Sequence, residues 1–300
     1  MDLDLKQLRY LATIAQCGSF SRAAQLLRLS QPTLSNSIAQ LERLIGTRVL
    51  ERGRAGAKLT EAGEILSRRA IQLETIVART RTEIRTFRAS ALGPLAVGVT
   101  PVAAAELVPR ALARLKKEIP AATAIVRETT HSQGLAALRN GELDLLVGPV
   151  GVYPTSNDMI EERVAMDPFC VVVRAGHPLS ATQRTTLRRL RDAEWVLPSD
   201  DSAYHRQLEA LFTVAGIDWP LRAIRTNSMT AMKSIVIYGE GVALMPKQLV
   251  TLERRAGLLH AIRLDGAGAR RALGVIRLSD RELSPLARRF GQLIREVAAK

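Results

Sequence analysis

Residues 19–46 read SFSRAAQLLRLSQPTLSNSIAQLERLIG, and their spacing decides the first domain. Ala23, Ala24 and Leu27 fall on one face of a short helix that Ser19 or Ser21 can cap. Arg28-Leu29 turns the chain. Ser30 is a good N-cap for a second helix, with Pro32 in its first turn, where a missing N–H costs nothing. Leu34, Ile38, Leu41 and Ile45 make the buried stripe of that helix, and Gly46 stops it. Two helices joined by a tight turn, with the small Ala24 permitting a close crossing, form a helix-turn-helix. In that motif the second helix lies in the DNA major groove and its N-terminal residues meet base edges. Here those residues are Gln31, Thr33, Ser35 and Asn36, with Gln40 further along. Asn and Gln can bond adenine bidentately, while Thr and Pro can touch a thymine methyl. The alternative is an ordinary capped surface helix, but such a face usually carries Glu/Lys pairs.

Upstream, Leu5, Leu8, Leu11, Ala12 and Ala15 repeat at helical spacing, and Gly18 can close that helix in a left-handed conformation. Downstream, Val49 to Thr60 reads as two short strands around a Gly-rich tip, a hairpin or wing decorated by Arg52, Arg54 and Lys58. Basic side chains beside a recognition helix can hold phosphates or enter the minor groove. The net charge of +14 favours polyanion partners, and half of it sits in the first 90 of 300 residues.

The string Ala23-Ala24, Ser30-Gln31-Pro32-Thr33-Leu34-Ser35, Ile38, Leu41-Glu42, Gly46, Arg52 and Leu59-Thr60-Glu61-Ala62-Gly63 resembles the winged helix-turn-helix of LysR-type transcriptional regulators. The resemblance implies DNA contacts by Gln31, Pro32, Ser35 and Asn36 and by the wing residue Arg52. Two positions depart from the family pattern. The family often has Arg at Asn36, which bears on base preference, and usually Phe at Leu50, which bears on wing packing.

Thr60 can cap a long helix that tolerates Gly63 in its first turn. Leu66, Ala70, Leu73, Val77, Thr80, Ile84 and Phe87 follow at alternating spacings of four and three, a heptad seam flanked by Arg and Glu. A single amphipathic helix lying on the next domain is the alternative. The seam resembles the linker helix through which LysR-type proteins pair. Paired heads read an inverted repeat, and half-site spacing reports the dimer geometry. Residues 90–94, Ser-Ala-Leu-Gly-Pro, mark the boundary.

From Leu95 onward apolar strand-like runs alternate with helical segments, which implies a parallel α/β sheet. In such sheets ligands bind beyond the carboxyl ends of the strands. The residues there are Thr100 and Pro101; Thr129, Thr130 and His131; Pro149; Ser199; and Asn227 and Ser228. Hydroxyls with the free N–H groups of a helix start suit an anion such as a carboxylate. For Thr100, Ser132 and Ser228, simple helix capping is the alternative. The segments 141–148 (GELDLLVG), 176–179 (GHPL) and 239–246 (GEGVALMP) are similar to recurring parts of the LysR-type effector domain, two lobes resembling periplasmic binding proteins. By that resemblance Thr100, Thr129 or Thr130, and Asn227 or Ser228 line an inter-lobe cleft.

The expected fold is therefore an N-terminal all-α winged helix-turn-helix with a long linker helix, followed by a C-terminal α/β two-lobed domain. The expected division is 1–60 for the DNA-binding domain, 61–92 for the dimerising linker helix and 93–300 for the effector domain. Lobe I takes about 93–165 and 268–300, and lobe II about 166–267. The expected partners are a double-stranded DNA operator with an interrupted inverted repeat, a small-molecule effector such as a carboxylate, and further copies in a homodimer or homotetramer. A ligand-independent nucleoid-type DNA binder remains the other DNA-binding reading. An enzyme is disfavoured: His131, Ser132 and Asp144 lack a nucleophile elbow, and the four histidines lack metal-ligand spacing. No catalytic residue, metal or cofactor is expected. No apolar run approaches bilayer length, and the acidic start lacks a secretory pattern. Cys17 and Cys170 stand far apart, which fits a reducing cytoplasm and argues against a redox switch.

Overall fold

The computed structural model describes residues 3–53, 56–87, 94–152, 157–199, 203–266 and 268–299. The chain divides into two compact units, the first holding residues 1–91 and the second the bulk of 92–300.

The first unit begins with α1 (Leu5–Cys17), α2 (Phe20–Leu27) and α3 (Gln31–Ile45). Gly18 at φ 61° and Gly46 at φ 74° close α1 and α3 in the left-handed region. Arg28 closes α2 in the same region at φ 55°, so the helix-turn-helix corner is built on a non-glycine residue. The Ser30 Oγ accepts from the Thr33 N–H at 3.2 Å, satisfying a donor that the start of α3 leaves free. Leu11, Ile14, Ala23, Leu34, Ile38 and Leu41 share one buried core with Val49 and Leu50. Leu50, where the family usually has Phe, still packs inward at 5% exposure.

The wing pairs β1 (Leu50–Gly53) antiparallel with β2 (Gly56–Leu59). The Glu42 carboxylate on α3 accepts from the N–H groups of Val49 and Leu50 at 2.9 and 3.3 Å, tying the wing to the recognition helix. The long helix α4 (Glu61–Phe87) starts under a Thr60 cap, whose Oγ1 accepts from the Gly63 N–H at 3.1 Å. Of its seam, Ala70 is buried against Leu8 and Ala12 of α1, while Leu73 and Val77 are exposed at 38% and 37%. The side chains of Ile84 and Phe87 lie outside the described residues.

The second unit carries β3 (Leu95–Val99), α5 (Pro101–Ala105), α6 (Leu107–Glu118), β4 (Ala124–Glu128), α7 (His131–Arg139) and β5 (Leu145–Val150). The strand β6 (Met159–Arg174) follows, then β7 (Arg184–Thr185), β8 (Trp195–Pro198), α8 (Ala203–Ala215), β9 (Ala223–Thr226) and α9 (Met229–Tyr238). The chain closes with β10 (Val242–Pro246), α10 (Thr251–Arg255), β11 (Leu259–Leu264), β12 (Arg270–Leu278) and α11 (Pro285–Ala298).

The sheet path is β4-β3-β5-β12-β6-β10-β8-β9, with β11 on β6 and β7 on β11. The parallel pairing expected of an α/β sheet holds within each lobe, β3 with β4 and β5, and β8 with β9 and β10, while the sheet as a whole is mixed. β12 is antiparallel to both β5 and β6. The reason is the 16-residue β6, which pairs with β12 along its first half and with β10 and β11 along its second. One strand thus threads both lobes. It leaves lobe I in the direction of β5 and enters lobe II against β10 and β8. The carboxyl ends of the parallel strands of both lobes therefore face one gap. Separate cores fill the lobes, one around Leu107, Phe290 and Ile294, the other around Phe169, Trp195 and Phe212. Among the described residues no helix is long and apolar enough to cross a membrane.

Candidate functional site

On the head, Gln31, Pro32, Thr33, Asn36 and Gln40 are exposed along the start of α3, and Ser35 is half-buried. Gln31 Oε1 accepts from the Ser21 hydroxyl at 3.0 Å, which fixes its amide from the preceding helix. The Thr33 hydroxyl lies 2.7 Å from Ser30 Oγ, so it is engaged in the cap before any partner arrives. On the wing, Lys58 is exposed in β2, in register with Glu51. Arg52 stands in β1 in register with Ala57; its side chain, and the whole of Arg54, lie outside the described residues.

The gap between the lobes holds a cavity of about 370 Å³. Seven of the nine residues read from the sequence line it: Thr100, Pro101, Thr129, Thr130, His131, Pro149 and Asn227. Ser199 and Ser228 do not. Ser228 faces its own helix, where its Oγ accepts from the Ala231 N–H at 3.2 Å, so capping is its role. Ser199 follows β8, and its N–H is spent on the Thr226 carbonyl at 3.2 Å.

Thr100 is 7% exposed, and Gly148 permits its close approach: a Cβ there would lie 2.9 Å from Thr100 Oγ1. Among the described residues, the buried hydroxyls of Thr100 and Thr129 have no hydrogen-bond partner. A buried polar atom left so costs free energy, which makes both oxygens natural contacts for a polar ligand. Burial holds the His131 pKa below its ordinary value, against the opposing charge of Glu161, so the imidazole is neutral at pH 7.

Three residues that line the cavity, and Asp167 behind one of them, had no signal in the sequence. Tyr204 lines the cavity, donates its hydroxyl to the Leu244 carbonyl and is stacked with Phe169 at 6.3 Å between ring centroids. Gln207 lines it and accepts from Arg271 Nη1 at 3.2 Å. Arg271 lies 5.3 Å over the Phe169 ring, with 4.0 Å to the Asp167 carboxylate. Asp167 is 1% exposed, and burial pushes its carboxyl up to about 6 despite the pull of Arg271 and of the Gln248 N–H. Arg270 and Arg271 open β12 as neighbours in one strand. Only strand pairing reveals that the two side chains point to opposite faces.

The triad types do not assemble. Asp144 accepts from the Ala96 N–H at 2.8 Å and lies 3.9 Å from Arg281, while Ser132 Oγ lies 3.3 Å from Thr130 Oγ1. Among the described residues, no group of His, Cys, Asp and Glu could hold a metal ion.

Residues 5–64 match the family described as "bacterial regulatory helix-turn-helix protein, lysR family", and residues 88–299 match the "LysR substrate binding domain". The chain is 28% identical over 280 residues to the HTH-type transcriptional regulator YdcI of Escherichia coli K12, covering 93% of this chain and 91% of that one. It is 26% identical to the E. coli K12 DNA-binding transcriptional dual regulator OxyR, over 99% and 96% of the two chains. Among solved structures, a cysteine-to-serine mutant of Corynebacterium glutamicum OxyR with bound H2O2 is 27% identical at a TM-score of 0.58, covering 100% of this chain and 96% of that one. Full-length CbnR complexed with its target DNA shares the fold at a TM-score of 0.71 and 21% identity, covering 99% and 100%.

Proposed function

The chain belongs to the LysR family of transcriptional regulators, and on that premise we propose how its own residues divide the work. Gln31, Asn36 and Gln40, with Pro32, Thr33 and Ser35 beside them, choose bases in the major groove. Lys58, Arg52 and Arg54 supply phosphate contacts and a salt-dependent share of affinity. A small polar effector enters the inter-lobe cavity and meets Thr100, Thr129 and Arg271. It favours one lobe arrangement, and it can shift that equilibrium only by its differential affinity for the two. The observation that carries this reading is the pair of unpartnered hydroxyls in a gap faced by strand ends from both lobes. No residue is assigned to catalysis, because Asp144 is committed to the Ala96 N–H.

Self-association is assigned to the two edge strands of the sheet. β4 exposes Ile125 and Val126 at 48% and 44%, and β9 exposes Ile224 at 55%. Open apolar edges of this kind ask for a partner. Paired copies would set two reading heads on an interrupted inverted repeat. Peroxide-driven thiol chemistry is not part of the reading, because Cys170 is buried, donates to the Met245 carbonyl and has its thiol pushed up to about 12 by burial.

The test is a thermal-shift screen with small carboxylates, amino acids and sugars, followed by operator footprinting. A ligand at 100 times its Kd adds about 2.7 kcal/mol of stability. Thr100→Val is expected to weaken the responding ligand by roughly 10–100-fold while operator affinity holds. An unchanged response in that variant removes Thr100 from the site. Gln31→Ala is expected to lose about 1–3 kcal/mol of discrimination at particular base pairs in a binding series over mutated operators. Equal weakening on every sequence would instead make Gln31 a backbone contact.

A further inference from the structure

Lobe II carries a second cavity of about 650 Å³, with Phe169 and the buried Cys170 in its wall. Lys247, Arg254, Arg263 and Arg270 also line it. They come from four segments: the turn after β10, then α10, β11 and the first residue of β12. One carboxylate, Asp265, shares the cavity, and both its oxygens already accept from Arg184 at 3.0–3.3 Å. Arg263 reaches the same carboxylate at 3.4 Å. Among the described residues no carboxylate stands at ion-pair distance from Lys247, Arg254 or Arg270.

Four cations around one concavity repel one another, and the low-dielectric floor focuses their field. Arginine forks match the oxygens of phosphate and carboxylate groups, and a lysine adds a point charge. Lys247 and Arg254 both pull the Cys170 pKa down, against the burial that raises it. The location adds a consequence. Arg270 pairs in register with Pro168, where β6 passes from one lobe to the other. The Phe169 ring that walls this cavity carries Tyr204 and Arg271 on the side of the inter-lobe cleft.

We propose that this cavity is a second ligand site, separate from the inter-lobe cleft, for a small anion bearing several phosphate-type negative charges. Three unneutralised cations call for a ligand of about that charge. The site stands whether or not the cleft takes an effector, since it shares none of the threonines there.

The probe is inorganic tripolyphosphate, titrated calorimetrically into the full chain at 0.15 M salt, with citrate as a second arm. Saturable one-site binding is expected, weakened at least about tenfold in the Lys247→Gln/Arg254→Gln double variant. Thr100→Val, and Arg206→Gln as a charge control outside the cavity, should bind as the wild type does. Both substituted side chains are exposed, so the double variant should keep the wild-type melting temperature. Tighter citrate than tripolyphosphate would overturn the phosphate assignment. No saturation at millimolar probe, or equal loss in Arg206→Gln, would reduce the cavity to a general basic surface. Displacement of the probe by a duplex of unrelated sequence would make it a nucleic-acid surface and overturn the small-anion proposal.

Discussion

Asp167→Asn is expected to stabilise lobe II by about 3 kcal/mol at pH 8 and to leave it nearly unchanged at pH 4. The carboxyl is pushed from 3.8 to about 6 by burial, against the pull of Arg271 and the Gln248 N–H. The folded state therefore holds its proton more tightly than the unfolded chain does. Stability from this group is greatest when it is protonated and falls as pH rises from about 4 through 6. A shift of about two pKa units corresponds to about 3 kcal/mol. Asparagine keeps the shape and can still accept from Gln248, but it has no proton to lose. The difference between variant and wild type isolates the one carboxyl from all other titrations. Urea unfolding followed by tryptophan fluorescence at pH 4, 6 and 8 measures it, because Trp195 and Trp219 both belong to the lobe II core. A variant less stable than wild type at pH 8 would sink the argument. It would mean that the Arg271 ion pair, at 4.0 Å, outweighs the cost of burying the charge.

The second large effect lies in the head. A methyl group added at Gly63 would place its carbon 2.0 Å from the Val49 carbonyl oxygen and 3.0 Å from Leu59 Cδ2. That oxygen already accepts from the Thr60 N–H at 3.1 Å, so it belongs to the corner where the wing meets α4. A flexible side chain could give way; a backbone carbonyl cannot without breaking the corner. Gly63→Ala is expected to cost at least about 3 kcal/mol, above the usual overpacking range, although alanine is the better helix former. The head should melt at lower temperature while the tryptophan-reported lobe II transition stays in place. A head of wild-type stability would mean that α4 can slide from the wing without loss.

This glycine illustrates what pattern reading misses. In the sequence Gly63 is a tolerable weakness near a helix start. In the fold it is the only residue type that fits under Val49. Similarly, Ala70 reads as a position in a pairing seam, yet it is buried against Leu8 and Ala12 of α1.

The candidate sites divide in the same way. The recognition helix was fully legible, since capping, periodicity and polar composition act within about fifteen residues and each shows in the order of letters. Thr100, Thr129 and Pro149 were legible as strand-end residues because they follow apolar runs, and a strand's end is a local event; all three line the cavity. Ser228 caps α9 and does not line the cavity, and an N-cap and a ligand contact look alike in sequence. Tyr204, Gln207, Arg271 and Asp167 come from segments up to 104 positions apart, and nothing local marks them.

By itself the sequence determined the winged head, the helix that follows it, the alternation of strands and helices, and the excess of positive charge. Each follows from short-range rules of capping, periodicity and composition. Tertiary structure alone decided that β6 runs unbroken through both lobes and that the strand ends consequently face one another. It alone buried Asp167 beside Arg271, and it alone gathered four cations from separate segments around one cavity. Those are matters of strand pairing and packing between distant segments. Their energies depend on which groups lose water together, which no single stretch of sequence records.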